Sequence, residues 1–362
     1  MIFFSIFDYN TLYGMDQIVS FYPLEQESIF ILTENGFRTR QGCLDLDRWF
    51  QEYDLRINTK LVNKLSLYYN LKTIDDYYRE SFSHTFYIRY KLKKFSIETG
   101  ISPDFMKKND RLFLGVYKDC ENGIIEIDLG LRDFVHNYVL SKKNESLRDP
   151  YSIFPFFASV RFAKIFNGFI NISIEKGFKG KKEIFLNDSL IGNEFYQDYD
   201  SYLSFLIPFF KNLYLGGRLN YWIKELEKSG DRFYYSQIIS NLFIRKDGNI
   251  KIEPSLSFEL YESKDTLLFK RIDFISGFNI IKEMNKHITI NFNFQDSRKK
   301  MRKNEDLNNN FEQRLTIGII LNFTKNTSFY IVEGIELDHF SMVFKKINYL
   351  HNHTFLTFTT RF

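Results

Sequence analysis

Charged side chains recur at every second position in several stretches of the 362-residue chain. Glu52, Asp54 and Arg56 alternate with apolar residues in "QEYDLRIN", as do Glu126, Asp128 and Arg132 in "IIEIDLGLR" and Lys251, Glu253 and Glu259 in "IKIEPSLSFELY". Arg89, Lys91, Arg161, Arg218 and Arg314 occupy the same kind of position, with Glu98, Arg111, Lys224, Glu312 and Arg361 beside them in the pattern. Carboxylates and guanidinium groups crowded onto one strand face make a mixed-charge wall that can hold water, focus ions or bind a polar passenger. The competing reading, of equal weight, is a set of cross-strand ion pairs that only stabilise a sheet.

Other chemistry is poorly supported. His136 follows Asp133, His339 follows Asp338, and His84 stands near Asp75 and Asp76, but none joins a serine nucleophile or a paired-aspartate constellation. His351 and His353 share a strand face at the spacing metal ligands can use, a weak signal without further donors. No Gly-rich phosphate loop, CxxC or CxxCH pattern is present. The expectation is no catalytic residue, no metal site and no cofactor. A surplus of 49 basic over 45 acidic residues, net +4, is too small to imply a nucleic-acid partner.

The elements that must position these charges are strands. Ile125, Ile127, Leu129 and Leu131 face away from Glu126 and Asp128, and Ile288, Ile290, Phe292 and Phe294 face away from Thr289, Asn291 and Asn293. Period two dominates almost everywhere, and even "YWIKELEK" at 221–228 reads as a strand running into a loop. Tight-turn signals recur at 58–63, 93–94, 121–123, 167–168, 211–212, 247–249, 285–286 and 325–327. Between them lie longer polar segments such as 73–83, 103–110, 179–200, 296–310 and 336–348.

Eight tight turns join sixteen strands; a strand near 28–40 and another at 354–362 make about eighteen, within a range of 16–20. An inside of that width cannot be filled by side chains, so the apolar faces, rich in the chain's 41 Phe and 23 Tyr, must look outward into lipid. No uncharged stretch reaches the ~18 residues of a spanning helix. The fold class that follows is all-β: a single closed antiparallel transmembrane β-barrel over 28–362, with short turns on one side, long loops on the other and a separate segment at 1–27. Tyr68, Tyr87, Tyr117 and other strand-end aromatics are expected in interfacial girdles, with some of the set pointing inward instead. The segment 179–200 is expected to fold inward as a constriction, and the basic run "SRKKMRKNED" to lie in a solvated outer loop.

The final strand, "HNHTFLTFTTRF", puts Leu356, Phe358 and Phe362 on one face. It resembles the C-terminal signal strand of Gram-negative outer-membrane β-barrel proteins, in which the terminal aromatic is read by the barrel-assembly machinery. That resemblance implies a bacterial outer-membrane location, periplasmic turns, extracellular loops, and contact with membrane lipid and lipopolysaccharide. The function expected is a porin-like channel for small hydrophilic solutes or a polymer, with a homo-oligomer as one assembly. The alternative is a structural sheath around a partner such as a multihaem cytochrome or an export component. A rim hydrolase ranks third.

Overall fold

The computed structural model describes residues 35–45, 48–76, 79–103, 111–132, 148–153, 156–186, 189–228, 231–264, 268–303, 306–338 and 349–361. The segment 1–27, His136, His339 and Phe362 lie outside these residues. Among the described residues there is no helix.

The first strands are β1 (Gly36–Asp45), β2 (Arg48–Val62), β3 (Leu65–Asp76), β4 (Arg79–Lys91), β5 (Ser96–Ser102), β6 (Arg111–Cys120) and β7 (Gly123–Arg132). They continue with β8 (Arg148–Ile153), β9 (Phe156–Phe166), β10 (Gly168–Leu186), β11 (Ser189–Phe210), β12 (Leu213–Lys228) and β13 (Asp231–Lys246). The last are β14 (Ile250–Lys264), β15 (Leu268–Asn285), β16 (Ile288–Lys303), β17 (Asp306–Asn322), β18 (Thr327–Asp338) and β19 (Tyr349–Arg361).

All pairings are antiparallel and join strands adjacent in sequence except around β8, where β7 pairs directly with β9, and β1 pairs with both β2 and β19, so the sheet closes. The segments β8 and β9 both pair with β10 at successive heights and share one position in the wall. Nineteen segments therefore form a barrel of eighteen staves.

Seven of the eight expected tight turns fall between consecutive strands as placed; the first, expected at 58–63, sits at 63–64, because 58–62 continue β2. At two of them a non-glycine residue takes the left-handed conformation that a tight reversal needs, Asn122 at φ 56° and Asn212 at φ 61°. Asparagine is among the few residues that reach this region at modest cost, which explains its place at both turns.

The opposite side differs from expectation in detail. Residues 179–200 are not an inward-folded loop. They continue β10 and β11 as a paired ribbon from Gly180↔Tyr196 up to Leu186↔Ser189. The basic run near 297–303 likewise belongs to β16 and pairs with β17 up to Lys303↔Asp306. Polar composition was the reason for reading loops there. Strand pairing satisfies the backbone equally well above the lipid, where both faces of the wall meet water and alternation carries no apolar signal. Among the described residues the first strand is Gly36–Asp45, which extends past the expected end at 40; residues 28–34 of that expected strand lie outside the described residues.

Candidate functional site: a charged inner wall

Closure alone does not say which side chains point inward; contacts between non-adjacent staves do. Arg111 on β6 donates to both carboxylate oxygens of Glu175 on β10, at 2.8 and 3.1 Å, although β7 and β9 lie between them. Arg132 on β7 pairs with Glu175 and also with Asp198 on β11, the latter at 2.6 Å. Three stave spacings amount to roughly 14 Å along the wall. Only side chains on the concave side of a curved sheet can close that span.

Strand alternation then assigns the rest. Glu126 and Asp128 share a face with Arg132, while Ile127 and Leu129 take the other and are among the exposed large hydrophobics, Leu129 at 62%. Leu256 at 70%, Phe274 at 54% and Leu242 at 54% continue this outward apolar surface on β13 to β15. So much exposed apolar area encircling a monomer is stable against lipid and not against water.

Two rows build the densest part of the inner wall. In one, the paired positions run Arg89, Glu98, Gly115, Asp128, Ser159, Glu175 and Asp200 across seven staves. In the next, Gly130, Phe157, Gly177 and Asp198 lie side by side. The bare backbone of Gly177 lies beneath the Arg132–Asp198 pair; a Cβ there would come 2.9 Å from the guanidinium and overlap the carboxylate. Phe157, 3% exposed, fills the space over Gly130, and the Arg111 and Arg132 guanidinium groups sit 5.4 and 5.5 Å from its ring. Aromatic faces and carboxylates together fix both arginines in place.

A third anchored arginine is Arg89. Its Nε donates to Glu98 at 3.0 Å, and its guanidinium carbon lies 3.3 Å from the Tyr117 ring centroid and 4.4 Å from that of Tyr68. Tyr68 stacks in turn on Tyr87 at 4.5 Å. These three belong to the aromatics offered for the interfacial girdles, some of which had to point inward, and they are among those that do. Their positions are in phase with Arg89 and Arg111, a signal that alternation already carried and that aromatic composition obscured.

The other sequence-derived lumen residues form smaller pairs. Arg40 meets Glu52, and Asp54 lies between Arg56 at 3.0 Å and Arg38 at 3.7 Å. Arg271 links Glu259 and Asp273 at 3.0 Å each, all three side chains buried. Arg245 approaches Glu253 at 3.8 Å, Lys251 meets Glu283 at 2.9 Å, and Arg161 is 3.7 Å from Glu126. Arg218 is buried and Lys91 exposed. Arg314 is placed by its backbone register opposite Gln295 and Glu336; its side chain lies outside the described residues. Glu175 and Asp198, the acidic partners of the long-span pairs, were absent from the sequence-derived set. Glu175 follows the alternation of "INISIEK" and was open to discovery, whereas Asp198 fell within the stretch read as a loop.

At the closing strand Leu356 is exposed on the outer face, and the Phe358 ring lies 6.5 Å from Phe37 of β1 across the seam. His84 Nδ1 bonds the Tyr69 hydroxyl at 2.7 Å, which accounts for that histidine without a metal. The side chains of His351 and His353 lie outside the described residues.

No family model matches the chain. No curated protein matches it either. Among solved structures, OccAB1 of Acinetobacter baumannii aligns over 90% of this chain and 95% of its own, at 8% identity and a TM-score of 0.48. OpdK of Pseudomonas aeruginosa with vanillate covers 90% and 96%, at 9% identity and a TM-score of 0.47. An OmpT loop-deletion mutant of Vibrio cholerae, an outer-membrane protein, covers 90% and 96%, at 9% identity and a TM-score of 0.43. These likenesses are distant. The class is set by the closed strand pairing itself, which is that of an outer-membrane β-barrel.

Proposed function

We propose that the protein is a porin-like channel of the bacterial outer membrane that passes small hydrophilic solutes or a polymer. One observation carries the reading: inside a closed eighteen-stave wall, Arg111 and Arg132 bind Glu175 and Asp198 across three stave spacings. A barrel of this size is too wide for side chains to fill, and its inner face is charged, so the interior is a water path. The arginine–carboxylate cluster lines one side of that path with charge carried by the wall itself, where the sequence had suggested a folded loop.

The outward apolar belt supports contact with outer-membrane lipid and lipopolysaccharide. Leu356, Phe358 and Phe362 are proposed as the segment read by the assembly machinery. A channel of this kind needs no cofactor and no catalytic group.

Swelling of proteoliposomes in isosmotic sugars of increasing size tests the proposal. Entry of monosaccharides with exclusion of large oligosaccharides is expected. Swelling no faster than in protein-free vesicles would overturn it.

A further inference from the structure

We infer that Glu98, Glu126 and Asp128 form a calcium-binding site on the inner wall, on the tight-turn side of the arginine cluster. One oxygen from each carboxylate lies within 4.8 Å of the other two. The three residues come from β5 and β7, and the strand between them explains how they meet. Gly115 of β6 is paired with Glu98 on one side and with Asp128 on the other. With no side chain in the middle of the row, the two acids lean together over bare backbone. A Cβ on Gly115 would overlap Oδ1 of Asp128. Glu126 stands two residues before Asp128 on the same face and completes the triangle.

The oxygens left over point to a ligand. Glu98 is 1% exposed; its Oε2 accepts from Arg89, while Oε1 is buried and accepts no hydrogen bond. Asp128 repeats the arrangement: Oδ2 accepts from Ser159 at 3.3 Å, and Oδ1 is buried without a donor. Each carboxylate thus spends one oxygen on the protein and keeps one for something else. A buried carboxylate oxygen without a donor is costly, and a cation removes that cost.

Charge agrees with a divalent ion. The neighbouring cations are Arg89, on Glu98, and Arg161, 3.7 Å from Glu126. Arg89 is held back against the Tyr117 and Tyr68 rings. Two guanidinium groups against three carboxylates leave the cluster short of positive charge. Shell size and the number of protein carboxylates select the ion. Calcium takes oxygens at about 2.3–2.6 Å, so its ligand oxygens stand up to about 5 Å apart; magnesium at about 2.0–2.1 Å limits that separation to about 4.2 Å. Three carboxylate oxygens all within 4.8 Å of one another fit inside a calcium shell, and three protein carboxylates suit calcium better than magnesium, which usually takes only one or two, with water completing the shell.

The site depends on the barrel and not on conduction. A barrel that binds calcium and carries no current would count against the channel alone. The test is calcium titration of the chelator-treated, detergent-folded barrel by calorimetry, with terbium luminescence excited through tyrosine as a second reading. Folding of every variant is checked by the mobility of unheated protein on gels. One calcium per barrel is expected, with a dissociation constant on the order of 10⁻⁴–10⁻³ M. Asp128→Asn and Glu98→Gln should each weaken binding at least tenfold, while Glu283→Gln, remote from the site, leaves it unchanged. Gly115→Ala, which keeps all three carboxylates and displaces Asp128, should also weaken it. Absence of calcium uptake by the native barrel would overturn the inference. So would uptake that Asp128→Asn and Glu98→Gln leave intact, because the ion would then sit elsewhere.

Discussion

Arg132 on β7 and Asp198 on β11 are ion-paired at 2.6 Å, though two staves of the wall stand between their strands. The pair is possible because Gly177 leaves the intervening row open and Phe157 supports the guanidinium from beneath. It ties together parts of the chain 66 residues apart across the inner wall.

This relationship is measurable as a coupling energy. A double-mutant cycle of Arg132→Ala and Asp198→Ala, read by urea unfolding of the barrel in liposomes, should give about 0.5–3 kcal/mol. Arg132→Ala alone should cost about 1–3 kcal/mol, since it strips a donor from two acidic partners. It should also shift ion preference toward cations, because Asp198 and part of Glu175 become free. Strict additivity of the two mutations would mean that the pair does not form across the wall.

Facing is tested by placing the same charge on either side of one strand. Leu256→Arg puts a cation on the outer surface of β14, where the cost near the midplane is about 2–4 kcal/mol. Ser257→Arg, its immediate neighbour, places the cation inside, near Glu259. The first variant should be destabilised by the larger margin in unfolding titrations, and the second should chiefly change conductance. Equal losses would invert or abolish the assigned faces.

The two cysteines report topology. Cys43 lies on β1 opposite Trp49, close to the β1–β2 connection, while Cys120 ends β6 beside the tight turn at Asn122. These are opposite ends of the barrel, separated by a hydrocarbon layer of about 25 Å. A disulfide needs Cα atoms within about 7 Å. An impermeant maleimide on intact cells should modify Cys43 and spare Cys120, with both modified after the membrane is broken. An intramolecular Cys43–Cys120 bond on a non-reducing peptide map would refute the topology.

The barrel was legible because lipid imposes strict alternation. The outward positions Leu112, Leu114, Val116, Ile125, Ile127, Leu129 and Leu131 are all apolar, with Lys118 coming only near the turn, and the turns carry Asn and Gly where the backbone demands them. Legibility stopped where lipid stops. Above the membrane β10 and β11 run on through "KGKKEIF" and "NEFYQDYD", where water bathes both faces and the pattern dissolves into what reads as a loop. The inner wall was legible as charge and illegible as contact. Glu126, Asp128 and Arg132 were visible in one strand, but their partners Glu98, Glu175 and Asp198 are set by register, and by two glycines whose value lies in having no side chain. Inward tyrosines such as Tyr117 were concealed by the same ambiguity, since an aromatic suits an interface as well as an arginine.

The central claim is that the charged inner wall encloses a water path through a lipid-embedded barrel. Single-channel recording in planar bilayers tests it most directly. Purified protein should give discrete, repeated current steps, and Arg132→Ala should change their size and make the channel more cation-selective. A barrel that inserts, as shown by protease protection, yet carries no current under any applied voltage would contradict it.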